Sequence, residues 1–206
     1  MKNKEIEVSY IGVLSWILVA MFFFYDYLLK SSPAVIKPEL MNSLGINVSQ
    51  FGLLMSSYTY VYAVMQLPAG TLVDCFGARK SILFASLSCT IGSLLFALSS
   101  SFGLLIFARG LIGLGASFAV VTTSKIIVEC FPPRLFATLM SLTVTVGFLG
   151  GFIGQITVAP LVELLGWEST MFVAAILGFI LFIAMSLVIK SKSDNNHSLA
   201  DELKGI

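Results

Sequence analysis

Charge is scarce in this chain of 206 residues: Lys, Arg, Asp and Glu together make up 11% of it, against about a quarter in a soluble domain. With 57% hydrophobic residues and a mean hydropathy of +0.97, the chain cannot cover itself against water, so lipid is its expected solvent. A net charge of +1 leaves no electrostatic footprint for nucleic acid. The single histidine, His197, lies in a polar tail, which excludes hydrolytic triads and histidine-rich metal sites. Cysteine is also sparse. Cys75, Cys89 and Cys130 are never closer than 14 residues, a spacing that offers neither a metal knuckle nor a redox pair. They read as small apolar fillers. The carboxylates are scattered as well, so no catalytic residue, metal site or cofactor is implied and an enzyme is not expected.

What the chain has is long apolar runs. A membrane span needs about 20 mostly apolar residues to cross a hydrocarbon core roughly 30 Å thick, and six segments qualify: about 9–30, 51–73, 81–99, 103–124, 138–162 and 170–189. The first run, Ile11 to Leu29, exceeds the roughly 7–15 apolar residues of a signal peptide and lacks a small-residue cleavage site, so it reads as a retained helix. Runs of this length fit helices rather than barrel strands, because the backbone in hydrocarbon must satisfy its own hydrogen bonds. The expected organisation is a tail over 1–8, a six-helix domain over 9–189 and a polar tail over 190–206. Connections are short except 31–50, where Pro33, Pro38 and Gly45 are expected to interrupt any regular helix.

Lysines and arginines set the expected orientation. Lys2, Lys4, Arg79, Lys80, Lys125, Arg134, Lys190, Lys192 and Lys204 group on one side, with Lys125 assigned to the 4–5 loop. The opposite loops hold only Lys30 and Lys37, and Arg109 falls inside a span. Both termini are therefore expected in the cytoplasm.

The sequence also repeats. LVDCFGARKS at 72–81 and LVELLGWEST at 161–170 align without gaps, pairing Leu72 with Leu161, Val73 with Val162, Asp74 with Glu163 and Gly77 with Gly166. Each copy closes the second helix of a three-helix group and opens the third. Three helices separate them, so they belong on opposite membrane faces. Arg79 and Lys80 mark the inner copy, where the outer has Glu168 and Ser169.

Chemistry concentrates at a few positions. Gly70-x-Leu72-x-Asp74-x-x-Gly77-x-Arg79-Lys80 follows Gln66-Leu67-Pro68. Its glycines permit a tight turn and close helix approach, Asp74 can pair with a cation or cap a helix, and Arg79 and Lys80 anchor the loop on an anionic leaflet. Arg109 lies inside span four, before Gly113 and Gly115. A charge there costs roughly 2.5–3.5 kcal/mol on the lenient insertion scale, so it should face the interior with a partner, unless it snorkels to the outer surface. Asp26, with Lys30 one turn further out, is the natural partner. A cleft of Asp26, Lys30 and Arg109, edged by Tyr25, Tyr58, Tyr62 and Gln66, is therefore expected. Asp26 would either carry a coupling proton or serve as half of a static pair, with Arg109 or with Lys30. Gly147, Gly150, Gly151 and Gly154 give span five overlapping G-x-x-x-G spacings for helix packing, and Gly113 is a further packing candidate in span four. Phe131-Pro132-Pro133-Arg134 reads as a turn, and Gly166-Trp167 as an interfacial anchor.

The Gly70–Lys80 motif resembles the signature between helices 2 and 3 of the major facilitator superfamily, although Cys75 and Ala78 stand where that family usually has basic residues. The resemblance, which spans about Tyr10 to Ile189, implies half of a twelve-helix fold, built as an inverted 3+3 repeat. It implies that Asp74 latches two six-helix halves at a cytoplasmic gate. It also links the Arg109–Gly113–Gly115 spacing to the family's helix-4 motif of proton coupling or substrate binding, with Ile112 in place of the usual glutamine. The antiporter G-P pair of helix 5 is absent, and Glu168 stands where the family often has arginine. The stretch Tyr25–Met41 resembles bacterial transporters of amino acids and other nutrients, and the lysosomal dipeptide transporter lineage. The resemblance thus implies a multi-pass protein of the bacterial inner membrane, with the lipid bilayer, a small solute and a second six-helix half as partners. A non-transporting scaffold, or the remnant of a split gene, is the competing reading. Reporter fusions at the Arg79–Lys80 turn should give cytoplasmic signals, and fusions within the 31–50 connection external ones; an external Arg79–Lys80 turn would overturn this topology.

Overall fold

The computed structural model describes residues 9–189, so both tails, with Lys2, Lys4, Lys190, Lys192, His197 and Lys204, lie outside the described residues. Among the described residues, five α-helices carry the fold: α1 (Tyr10–Leu44), α2 (Val48–Phe76), α3 (Ala78–Ala97), α4 (Phe102–Cys130) and α5 (Phe136–Val188), with a 3-10 turn at Pro133–Leu135 before the last. Six had been expected. The expected fifth and sixth spans are two arms of α5 that meet at Gly166, where φ of 80° and ψ of 162° leave the helical conformation without an intervening loop. Four elements, α1, α3, α4 and α5, are long and apolar enough to cross a membrane. The 29-residue α2 is long enough but more polar, with Ser56, Ser57, Thr59 and Gln66 in its interior.

Gly77, between α2 and α3, has φ of 83° and ψ of 160°, nearly the conformation of Gly166. Such a positive φ suits glycine. Nothing lies within 4 Å of a Cβ built at either position, so conformation rather than space requires glycine at both. Four residues on, the Ser81 hydroxyl donates to the Gly77 carbonyl at 2.9 Å and the Thr170 hydroxyl to the Gly166 carbonyl at 2.8 Å. The aligned segments thus share a turn conformation and the hydroxyl that braces it.

Helix α1 runs on through Pro33 and Pro38 and stops only at Gly45, whose φ of 62° is left-handed. The prolines had been expected to end it near residue 30. A proline in a lipid-facing helix is tolerated where the carbonyl four residues earlier finds another donor. For Pro33 that carbonyl is Leu29's, and it accepts from Arg109 Nη1 at 2.9 Å and from the Ser32 hydroxyl at 3.1 Å. At 1.5 Å per residue, α1 is about 50 Å long, well beyond the hydrocarbon thickness. Helix α4 also outruns its expected end, so Lys125 is helical rather than in a loop.

Helix α1 packs mainly on α5, α2 on α4, and α3 against both α4 and α5. Small residues set several of these seams, the α1–α5 and α2–α4 ones among them. A Cβ at Gly113 would overlap the Tyr58 backbone carbonyl of α2, and one at Gly150 the Phe24 carbonyl of α1. Gly147 lies against the Tyr27 ring and Gly154 against Leu28, whereas Gly151 has only ordinary contact with Tyr27. Gly70 differs: open space surrounds it, so it serves no close approach. Trp16 Nε1 donates to Thr143 Oγ1 at 3.0 Å across the α1–α5 seam. Trp167, expected at the membrane interface, is buried and sits edge-on to Phe96 with centroids 6.0 Å apart. Its position just after the Gly166 turn directs the ring onto α3 instead of outward. Gly113→Ala and Gly150→Ala should each cost about 1–3 kcal/mol through overpacking, whereas Gly70→Ala should be neutral or stabilising; melting temperatures of the purified chain check the contrast.

Candidate functional site

On α2, Tyr58, Tyr62 and Gln66 recur every four residues and so share one helix face. Tyr58 and Tyr62 stack at 6.1 Å with ring planes 9° apart. Tyr58 is buried and Tyr62 and Gln66 are half-buried, with Gln66 Oε1 buried and unpartnered among the described residues. From α1, Tyr27, Lys30 and Ser31 project together by the same helical spacing. Lys30 is exposed, with Nζ 5.3 Å from the Tyr27 ring centroid. Between Tyr58 and this α1 face lies an open cavity of about 540 Å³, walled by Tyr27, Lys30 and Ser31 of α1, Met55, Tyr58 and Thr59 of α2, Arg109 of α4, and Phe148, Gly151, Phe152 and Gln155 of α5, whereas Tyr62 and Gln66, expected to edge the cleft, lie further along α2 and do not line it. That volume falls within the roughly 300–1,000 Å³ of ligand sites.

Arg109 forms the floor. It is 1% exposed, so the cavity touches only an edge of it. Its guanidinium lies 4.9 Å from the Tyr58 ring centroid, an attraction strengthened by desolvation, while Nη1 donates to the Leu29 carbonyl. The snorkelling alternative does not fit this burial. Asp26 is buried one turn before Lys30, within electrostatic reach of Lys30, Arg109 and Tyr58. Both Asp26 Oδ1 and Arg109 Nε are buried without a hydrogen-bond partner among the described residues. Arg109 is therefore held by a neutral backbone dipole, and Asp26 stands behind the cavity wall rather than in it. Tyr25 points elsewhere: its hydroxyl sits 3.2 Å from Ser93 Oγ of α3, and a Cβ at Gly178 would strike it. Successive helical residues diverge by 100°, so Tyr25 and Tyr27 cannot both line one cleft.

The Gly70–Lys80 motif lies at the far ends of α2 and α3. Asp74 pairs with Lys125 of α4 at 3.0 Å, and the same ammonium donates to the Val73 carbonyl at 3.0 Å. The Asp74 side chain remains 80% exposed. Arg79 Nη2 donates to the Ser186 carbonyl at 3.2 Å, tying the turn to the end of α5, and Lys80 is exposed. Sequence reasoning missed Lys125, which it placed in a loop, and also Tyr27, Ser31, Thr59 and Gln155. Gln155 had a legible signal: it is the sole amide in a glycine-rich apolar run.

Residues 16–204 match the family model described as Major Facilitator Superfamily. The chain belongs to this superfamily. Among its curated relatives, the Probable sulfoacetate transporter SauU of Cupriavidus necator is 28% identical over 193 residues, covering 92% of this chain and 44% of the relative. The Hexuronate transporter of Escherichia coli (strain K12) is 27% identical over 198 residues, with the same coverages of 92% and 44%. The crystal structure of a bacterial homolog to the human lysosomal transporter Spinster, in an inward-facing and unoccupied conformation, superposes with a TM-score of 0.80. It is 16% identical and covers 89% of this chain and 44% of that one; it shows the fold alone. The chain thus spans less than half the length of the curated relatives it matches. As a member of this transporter superfamily with long apolar helices, it is an integral, multi-pass membrane protein. With the native cysteines replaced by serine, Thr59→Cys and Gln155→Cys should react with a water-soluble maleimide, and Tyr25→Cys should stay protected; mass shifts after labelling in membranes report the outcome.

Proposed function

We propose that this major facilitator chain forms the N-terminal half of a secondary transporter that moves a small carboxylate-bearing solute by alternating access. The carrying observation is Arg109, buried at the floor of the 540 Å³ cavity with a buried orphan Nε. A buried cation with spare donor capacity favours an anionic guest, and exposed Lys30 at the rim adds charge of the same sign. Two relatives are named for organic anions, sulfoacetate and hexuronate, which supports a carboxylate or sulfonate as the recognised group. Amino acids and dipeptides also carry a carboxylate, and Asp26 behind the wall would suit their amino group less well than a site lining the cavity.

In this reading α5 crosses the bilayer twice. Its 53 residues amount to about 80 Å of helix, far more than one crossing needs. That gives six spans, and the matched Gly77 and Gly166 turns support an inverted 3+3 arrangement. Both termini then face the cytoplasm, and the bacterial relatives favour a bacterial inner membrane. A second six-helix half, on the same polypeptide or another, would complete the cleft and meet Asp74 at the cytoplasmic gate.

Asp26 is the proposed coupling group, being the carboxylate that Arg109 approaches without a hydrogen bond. The test is radiolabelled uptake into cells expressing this half with a companion half, offering hexuronates, sulfoacetate, amino acids and dipeptides. Uptake of a carboxylate-bearing solute, lost in Arg109→Ala, supports the proposal; its absence across the panel favours a non-transporting scaffold. Asp26→Asn should flatten the pH dependence of uptake, and an unchanged pH profile would remove the coupling role.

A further inference from the structure

Proline in the interior of a helix normally costs stability because it removes one hydrogen bond and leaves a carbonyl bare. Pro33 does this in the buried part of α1, where the bare carbonyl is that of Leu29, itself fully buried. A carbonyl oxygen has two lone pairs. Both are used here by groups outside the regular helix ladder: Ser32 Oγ at 3.1 Å and Arg109 Nη1 at 2.9 Å. Pro38 lies one turn further along on an exposed face. It frees the carbonyl of Ala34, which is also exposed. The two prolines thus differ in consequence, and only Pro33 prepares a buried acceptor for a charged side chain from another helix.

The geometry points to Pro33 as a positioning residue for Arg109: by withholding an amide N–H, it reserves the Leu29 carbonyl as the seat of the guanidinium. An alanine at this position would restore the N–H and present three donors to two lone pairs. The amide is fixed by α1, and the Ser32 hydroxyl sits on the same turn, although it also reaches Met171 Sδ of α5 at 3.8 Å. Arg109 arrives from α4, so it is the donor displaced. Among the described residues, the buried carboxylate oxygen left without a hydrogen-bond partner is Asp26 Oδ1, on the same helix. Without the proline, Arg109 would therefore relax toward an ion pair with Asp26. Pro33 keeps the two apart, with the cation seated on a dipole that a stronger anionic ligand can outcompete. This last consequence rests on the proposed transport reading, whereas the seating of Arg109 does not.

Two measurements separate them. The first is a double-mutant cycle on the melting temperature of the full chain purified in detergent, using P33A, R109M and both together. P33A removes a helix-interior proline, so loss of folding is not anticipated. Whatever the sign of R109M alone, its effect should be less destabilising in the P33A background, because the Leu29 carbonyl is then filled from its own helix. The control cycle of P38A with R109M should be additive. Additivity in the Pro33 cycle, or equal coupling in both cycles, overturns the inference irrespective of transport. The second measurement is uptake by the completed carrier. P33A should raise KM for the anionic solute about tenfold, as expected for one weakened charge-assisted hydrogen bond, with kcat nearly unchanged. A fall in kcat at constant KM would mean that Pro33 acts only on folding or yield. If wild-type uptake is absent, the transport reading fails and the melting cycle still decides the role of Pro33.

Discussion

In hydrocarbon no water stands by to accept or donate a hydrogen bond, and each polar atom left bare costs several kcal/mol. That constraint explains the organisation of this chain. It demands helices, and it demands that each break in a helix be repaired by something nearby. The Arg109–Leu29 contact meets both needs at once: a buried cation requires an acceptor, a proline-interrupted helix requires a donor, and each answers the other. The bond also fixes α4 against α1 at the level of the cavity floor. At the floor of the cleft, the Arg109 guanidinium therefore rests on a backbone carbonyl rather than in a hydrogen-bonded ion pair.

The helical membrane fold was legible because it depends on quantities a sequence displays directly, namely run length and the spacing of glycines. Arg109 was legible for the same reason, since a lone charge in an apolar run has few acceptable environments. What Arg109 touches was not. Side-chain pairing across helices invites matching opposite charges, and Asp26 was the obvious candidate; backbone carbonyls carry no mark in a sequence. Pro33 was misread in the same way, as a terminator, because the donor that tolerates it comes from eighty positions away. The cavity wall shows a further limit. Tyr25 and Tyr27 look equivalent on paper, but a helix rotates by 100° per residue and only the second faces the cleft, so assigning them required the rotational setting of α1 against α5.

Glycine has two distinct uses here that sequence inspection cannot tell apart. Gly77 and Gly166 are needed for a backbone angle and stand in open space, whereas Gly113 and Gly150 have ordinary helical angles but leave no room for a methyl group. Gly70 shows neither requirement in this structure, although it belongs to the most family-like motif in the chain. Asp74 of the same motif is paired with Lys125 yet has a largely exposed side chain.

The chain holds two tryptophans, and their placement has a practical consequence. Trp16 bridges α1 to the first arm of α5 through Thr143, and Trp167 sits where the second arm of α5 meets α3. Each indole thus straddles a different seam of the longest helix, one through a polar tether and the other through an aromatic neighbour. Intrinsic emission is in effect a two-channel optical gauge of how the arms of α5 move against the rest of the bundle. Replacing either indole with phenylalanine would isolate the other channel without adding any foreign dye.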